Sequence, residues 1–113
     1  MVKERVLMLV VPRALIAHWS AHVSAAGFQV TTDAEEHDLR LFDGTVERYL
    51  TGSVSRNGLC VHVRFSPGAH PRSTSPVAGK PVLLIYYSPD SCAEYQLAID
   101  VSIVLAAEGA EIV

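Results

Sequence analysis

The residues best able to do chemistry in this chain are its five histidines and two cysteines. His18 and His22 stand four apart in a segment of helical spacing, which puts both imidazoles on one face, where a metal ion could be held. A metalloprotease helix would place Glu beside the first His. Here Trp19 follows His18, and no carboxylate within the helix completes a ligand set. The expected role of the pair is therefore that of ordinary solvent-facing side chains, and no metal is expected. Cys60 and Cys92 have no CxxC spacing, so neither a zinc knuckle nor a redox motif is supported. A cysteine nucleophile needs a lowered pKa, from a helix N-terminus or an adjacent imidazole. Cys92 falls near a predicted helix start, and His37 and His62 are rings that could serve it, but no spacing ties them together. Both thiols are expected to be buried and structural. The glycines form neither GxGxxG nor GxxxxGK[ST], and Ser88 is not in GxSxG. No catalytic residue and no cofactor is expected.

The strongest charge feature is the run Asp33, Glu35, Glu36, Asp38 and Asp43, continued by Glu47 and interrupted by Arg40 and Arg48. Glu35 and Glu36 are neighbours in sequence and do not face one another across a substrate, as a two-carboxylate site requires. A concentrated anionic patch does accelerate encounter with a positively charged partner. The plainer reading is a solvated face. Nine Lys plus Arg against twelve Asp plus Glu give a net charge of −3, which argues against a nucleic-acid backbone as partner.

The elements that would position these residues are marked by periodicity and punctuation. Val6 to Val11 is an unbroken apolar run, the pattern of a strand covered on both faces and central in its sheet. Pro12 opens one helix in which Leu15, Ile16, Trp19, Val23 and Ala26 recur at helical spacing until Gly27 caps it. Phe28 to Thr32 is β-branched and alternating, which gives an opening strand–helix–strand unit. Leu39 to Phe42 reads as a strand, Asp43-Gly44 as a turn, and Thr45 to Leu50 as a strand or short helix. Asn57-Gly58 lies between alternating segments, as in a type I′ hairpin. On the returning strand Leu59, Val61, Val63 and Phe65 share a buried face. Cys60, His62 and Arg64 share a wetter one, which suggests a place towards a sheet edge.

Residues 66 to 80 are too rich in Pro and Gly to hold a regular element and read as a long exposed loop. Val82 to Tyr87 is a second buried strand. Ser88 as N-cap and Pro89 as first helical residue open a helix to about Ala107. Along it Cys92, Tyr95, Ile99, Ser102, Ile103 and Ala106 trace one face. Leu97, Ala98, Val101, Val104 and Leu105 make it apolar on nearly every side. Gly109 ends it, and Ala110 to Val113 can return as a last short strand.

With 113 residues, half of them apolar and 19% charged, the chain is expected to form one α+β domain over residues 1 to 113. The order of elements suggests a single mixed or antiparallel sheet packed by two helices, an elaborated ferredoxin-like plan. No apolar run approaches the length of a membrane span, and a cytoplasmic protein is expected. An acidic α+β domain with this patch, this loop and no catalytic set resembles the small immunity proteins that bacteria make against contact-dependent or secreted toxins. The resemblance implies a non-catalytic protein that binds one cognate toxin domain, often a basic nuclease, with Asp33, Glu35, Glu36, Asp38 and Asp43 facing basic toxin residues. Two other readings stand beside it. One is a regulatory or oligomerising domain that binds a small ligand or its own copy, suggested by the over-apolar last helix. The other is an enzyme of unrecognised type using His18, His22, His62 or Cys92.

Overall fold

Asn57 and Gly58 take φ values of 54° and 80°, the positive angles that a two-residue type I′ turn demands. Around that turn the chain folds into its longest pair of strands, β4 (Val46–Arg56) and β5 (Leu59–Ser66). The computed structural model describes residues 4–33, 37–40, 46–66 and 80–113, of which 37–40 and 46–48 are described by their backbone alone. The remaining elements are β1 (Arg5–Val10), α1 (Arg13–Ile16), α2 (Trp19–Ala25), β2 (Gln29–Thr32), β3 (His37–Arg40), β6 (Val82–Tyr87), α3 (Cys92–Ala106) and β7 (Glu111–Ile112).

Every strand pairing is antiparallel. The sheet runs β2-β4-β5-β6-β1-β7, and β3 pairs with the first part of β4. The α+β class and the single sheet agree with the sequence. The strand order does not follow from it: β1 and β2, the strands of the opening strand–helix–strand unit, lie with β4, β5 and β6 between them. This spread is wider than the ferredoxin-like plan expected. β5 is interior, between β4 and β6, rather than near an edge.

The core lies between the sheet and its helices. Leu9, Val54, Val61, Val63, Leu83 and Ile85 point from the strands to meet Trp19 and Val23 of α2 and Leu97, Val101 and Leu105 of α3. The Trp19 and Phe65 rings meet edge to face, with centroids 5.3 Å apart, a favoured aromatic arrangement. β1 is covered on one face only. Leu9 is fully buried while Val6, on the opposite face, is 44% exposed. An unbroken apolar run therefore does not here mean a strand covered twice.

The first helical segment is two short helices rather than one. Its ladder tightens where His18 N–H donates to the Leu15 carbonyl at 2.8 Å. His18 leaves helical geometry at φ −130° and ψ 11°. The break lets Leu15 and Trp19 both reach the core. Gly27 and Gly109 adopt φ values of 101° and 105° where the sequence places helix stops.

α3 begins three residues later than expected. Ser91, not Ser88, is its N-cap, accepting from Glu94 N–H at 3.1 Å. Glu94 Oε1 accepts in turn from Ser88 N–H at 3.2 Å, a variant of the reciprocal capping box in which the carboxylate reaches into the preceding turn. Its buried seam is Leu97, Ala98, Val101, Ser102 and Leu105. Ile103 is 59% exposed. Ser102 satisfies its buried hydroxyl by donating to the Ala98 carbonyl at 2.8 Å. Among the described residues no helix is long and apolar enough to cross a membrane.

Candidate functional site

Alternation along β5 sends Leu59, Val61, Val63 and Phe65 towards the helices, so Cys60, His62 and Arg64 emerge on the opposite, open face of the sheet. Strand register supplies their neighbours. His62 stands between Ser53 of β4 and Tyr86 of β6; Arg64 stands between Thr51 and Leu84. The face divides in two. Val6, Met8 and Val10 of β1 continue with Val82 and Leu84 of β6 as an apolar half. Thr51, Ser53 and Ser55 with His62 and Arg64 form a polar half.

Arg64 is the centre of the polar half. Its guanidinium carbon lies 4.3 Å from the centroid of the Tyr49 ring and 5.8 Å from that of Tyr86. Its Nε is shielded from solvent and meets no acceptor among the described residues. No carboxylate among the described residues pairs with this guanidinium. Cation–π contact with two rings restrains such a group, and its outer nitrogens are the donors that match a carboxylate or phosphate.

Beside it, Thr51 Oγ1 donates to Asp33 Oδ2 at 2.5 Å, and Asp33 N–H donates to the Thr51 carbonyl at 2.9 Å. These two bonds fix Asp33 at the end of β2. A cleft of about 300 Å3 opens here, lined by Glu4, Asp33, Thr51, His62, Arg64 and Tyr86. It is lined by one guanidinium, two carboxylates, an imidazole and an aromatic ring. A second cleft, of about 350 Å3, lies at the ends of β1 and β6 among Pro12, Arg13, Lys80, Pro81 and Glu111, with two cations and a carboxylate but neither imidazole nor aromatic ring in its lining.

The residues singled out from the sequence are dispersed. Asp33 is exposed and sits on the rim of the Arg64 cleft. Asp38 stands opposite Arg48 in the β3–β4 register. Glu35, Glu36 and Asp43 lie outside the described residues, as does most of the 66–80 segment. His18 marks the start of α2 and His22 lies within it, with Nδ1 4.0 Å from Glu108 Oε1. They therefore do not form the pair on one continuous helix that the spacing suggests. His37 is opposite Tyr49 in β3.

Cys60 and Cys92 are both exposed, contrary to the buried thiols expected. Cys60 is on the open face, and Cys92 is the first residue of α3, before the buried seam begins. Among the described residues no three His, Cys, Asp or Glu side chains group as metal ligands. Sequence reasoning placed His62 and Arg64 on one wet strand face but missed Tyr86, Thr51 and Glu4. Their proximity depends on strand order, for which the sequence carries no local signal. Compared with known proteins, the chain matches no protein-family model, no curated protein and no solved structure, so the site rests on its own geometry.

Proposed function

We propose that the protein is a non-catalytic binding domain whose working surface is the open face of its sheet, with a small ligand seated over Arg64. The observation that carries this reading is the placement of Arg64: its guanidinium carbon lies 4.3 Å from the Tyr49 ring centroid at the wall of a cleft of about 300 Å3, and no ion-pair partner for it stands among the described residues. A guanidinium held in a cleft and paired with no protein carboxylate is a ready donor for a ligand carboxylate or phosphate. Such groups recur where a ligand supplies the missing partner. A regulatory role in the cytoplasm fits a small domain of this kind.

A second reading is supported by the charge of the chain: an immunity-type protein that neutralises a basic toxin domain. The net charge of −3 and the acid-rich run from Asp33 to Asp43 favour a cationic partner, and Asp33 is exposed to meet one. The two readings predict different companions. Native mass spectrometry of the protein isolated gently from its host tests both. A bound mass of a few hundred daltons, lost in Arg64→Gln, supports the ligand-binding domain. A stoichiometric basic polypeptide released by high salt supports the immunity reading. Bare protein throughout overturns both.

A further inference from the structure

We propose that the Arg64 cleft takes a small zwitterion of the free amino acid class, its carboxylate on Arg64 and its ammonium towards Asp33. This rests on the ligand-binding reading and names the chemistry of that same site. The argument is one of charge complementarity. An anion alone would meet Arg64 but would also be repelled by the two rim carboxylates, Asp33 and Glu4. A cation alone would be attracted to those carboxylates and repelled by Arg64. A neutral apolar molecule would strip water from these charged groups and return nothing for it, and a neutral polar one would return only uncharged hydrogen bonds. A zwitterion satisfies both signs together.

The geometry separates the two poles. Asp33 is tied to Thr51 by a side-chain and a backbone hydrogen bond, and Thr51 is the cross-strand neighbour of Arg64. The carboxylate therefore stands one strand beyond the β4 residue that flanks the guanidinium. Thr51 donates its own proton to Asp33, leaving that carboxylate its other lone pairs for an ammonium. The Arg64 guanidinium carbon lies over the Tyr49 ring, 4.3 Å from its centroid, so contact with that ring restrains the cation before a carboxylate arrives. His62 and Tyr86, direct neighbours across β5 and β6, supply a polar tip and an aromatic wall for the side chain of the ligand. The volume, about 300 Å3, sits at the small end of ligand pockets, which run from about 300 to 1,000 Å3. That size suits a single amino acid or a dipeptide.

The test is a titration of the 15N-labelled full chain with the standard L-amino acids, with acetate, succinate, methylammonium and putrescine as single-sign probes. At least one amino acid is expected to shift the amides of Thr51, His62, Arg64 and Tyr86 saturably. Acetate and methylammonium are expected to bind about tenfold more weakly or less, each having lost one charge-assisted contact. Arg64→Lys and Asp33→Asn, which keep the bulk at each position, should each weaken the amino acid about tenfold with an unchanged spectrum elsewhere. If acetate or succinate shifts these amides and no amino acid does, the zwitterion is wrong and the ligand-binding site stands. If none of the probes moves them, both are wrong.

Discussion

Arg56 Nη2 lies 2.6 Å from Asp100 Oδ2, joining the last residue of β4 to the middle of α3 across 44 positions of sequence. Gln96 Nε2 donates to the other carboxylate oxygen at 2.8 Å, and the Arg56 guanidinium carbon lies 5.0 Å from the Phe28 ring centroid. The Asp100 carboxyl is consequently held below the usual carboxylate range, first by the hydrogen bond from Arg56 and then by that from Gln96, against a small opposing effect of burial. One end of the hairpin is thereby fastened to the helix layer.

A carboxyl with a depressed folded-state pKa adds stability above its unfolded value, and that contribution is lost as pH falls through the folded value. The contribution of Asp100 should therefore be complete above the ordinary aspartate value, about pH 4, and be lost progressively as pH falls from there through the lower folded-state value. In urea unfolding, the gap between wild type and Arg56→Gln is expected to narrow as pH is lowered through that range. Any fixed offset reflects lost packing on Phe28. A gap that stays constant with pH would show that the pair does not couple.

The two sides of α3 should respond very differently to truncation. Leu97 is fully buried, and Leu97→Ala is expected to cost about 2–5 kcal/mol, the transfer term plus the cavity left behind. Ile103 is 59% exposed, so Ile103→Ala should stay within about 0.5 kcal/mol of wild type. Equal costs in chemical denaturation would mean that the buried seam is misassigned.

Gly52 is required by a close approach rather than by its backbone angles. A Cβ at this position would stand 2.6 Å from the Thr31 carbonyl oxygen, inside the β2–β4 pairing where Gly52 faces Thr32. Gly52→Ala should destabilise the fold by about 1–3 kcal/mol, the range for overpacking. Its signature is faster amide exchange in β2 while β1 and β6 keep their protection.

Both thiols are exposed, so the native protein should react with two equivalents of a disulfide reagent without denaturant. Cys60→Ser and Cys92→Ser should each remove one equivalent. Only one reactive thiol in the folded wild type would contradict the exposure of the other.

The parts of the fold legible in the sequence are those encoded by short-range chemistry. Asn57-Gly58 specified a turn because few other pairs accept two positive φ values. Alternation from Leu59 to Phe65 separated the core face from the open one. Gly27 and Gly109 marked helix ends. What was not legible depended on competition between near-equal local signals or on distant partners. Ser88 and Ser91 are both capable N-caps, and the second prevails because Glu94 lies three residues beyond it. Cys60 and Cys92 are small, apolar-leaning residues whose exposure is decided by which face packs. The candidate site was half visible, as His62 and Arg64 on one strand face. The rest comes from β2, β4 and β6, whose adjacency no local pattern encodes. The acidic run stood out in sequence, and of its members the structure describes the side chain of Asp33.

The strand order also dictates a timetable for synthesis. β1 has as its neighbours β6 and β7, so among the described residues the backbone partners of Val6–Val11 lie at Pro81 or later. While the ribosome works through the intervening residues, β4 and β5 can zip at once around their tight turn, and β2 can join them. The apolar segment Val6–Val11 meanwhile has no ladder to enter. An apolar segment that waits unpaired in this way is exposed to aggregation. In the order of the chain, β1 can enter the sheet only after β6 has followed the β4–β5 hairpin.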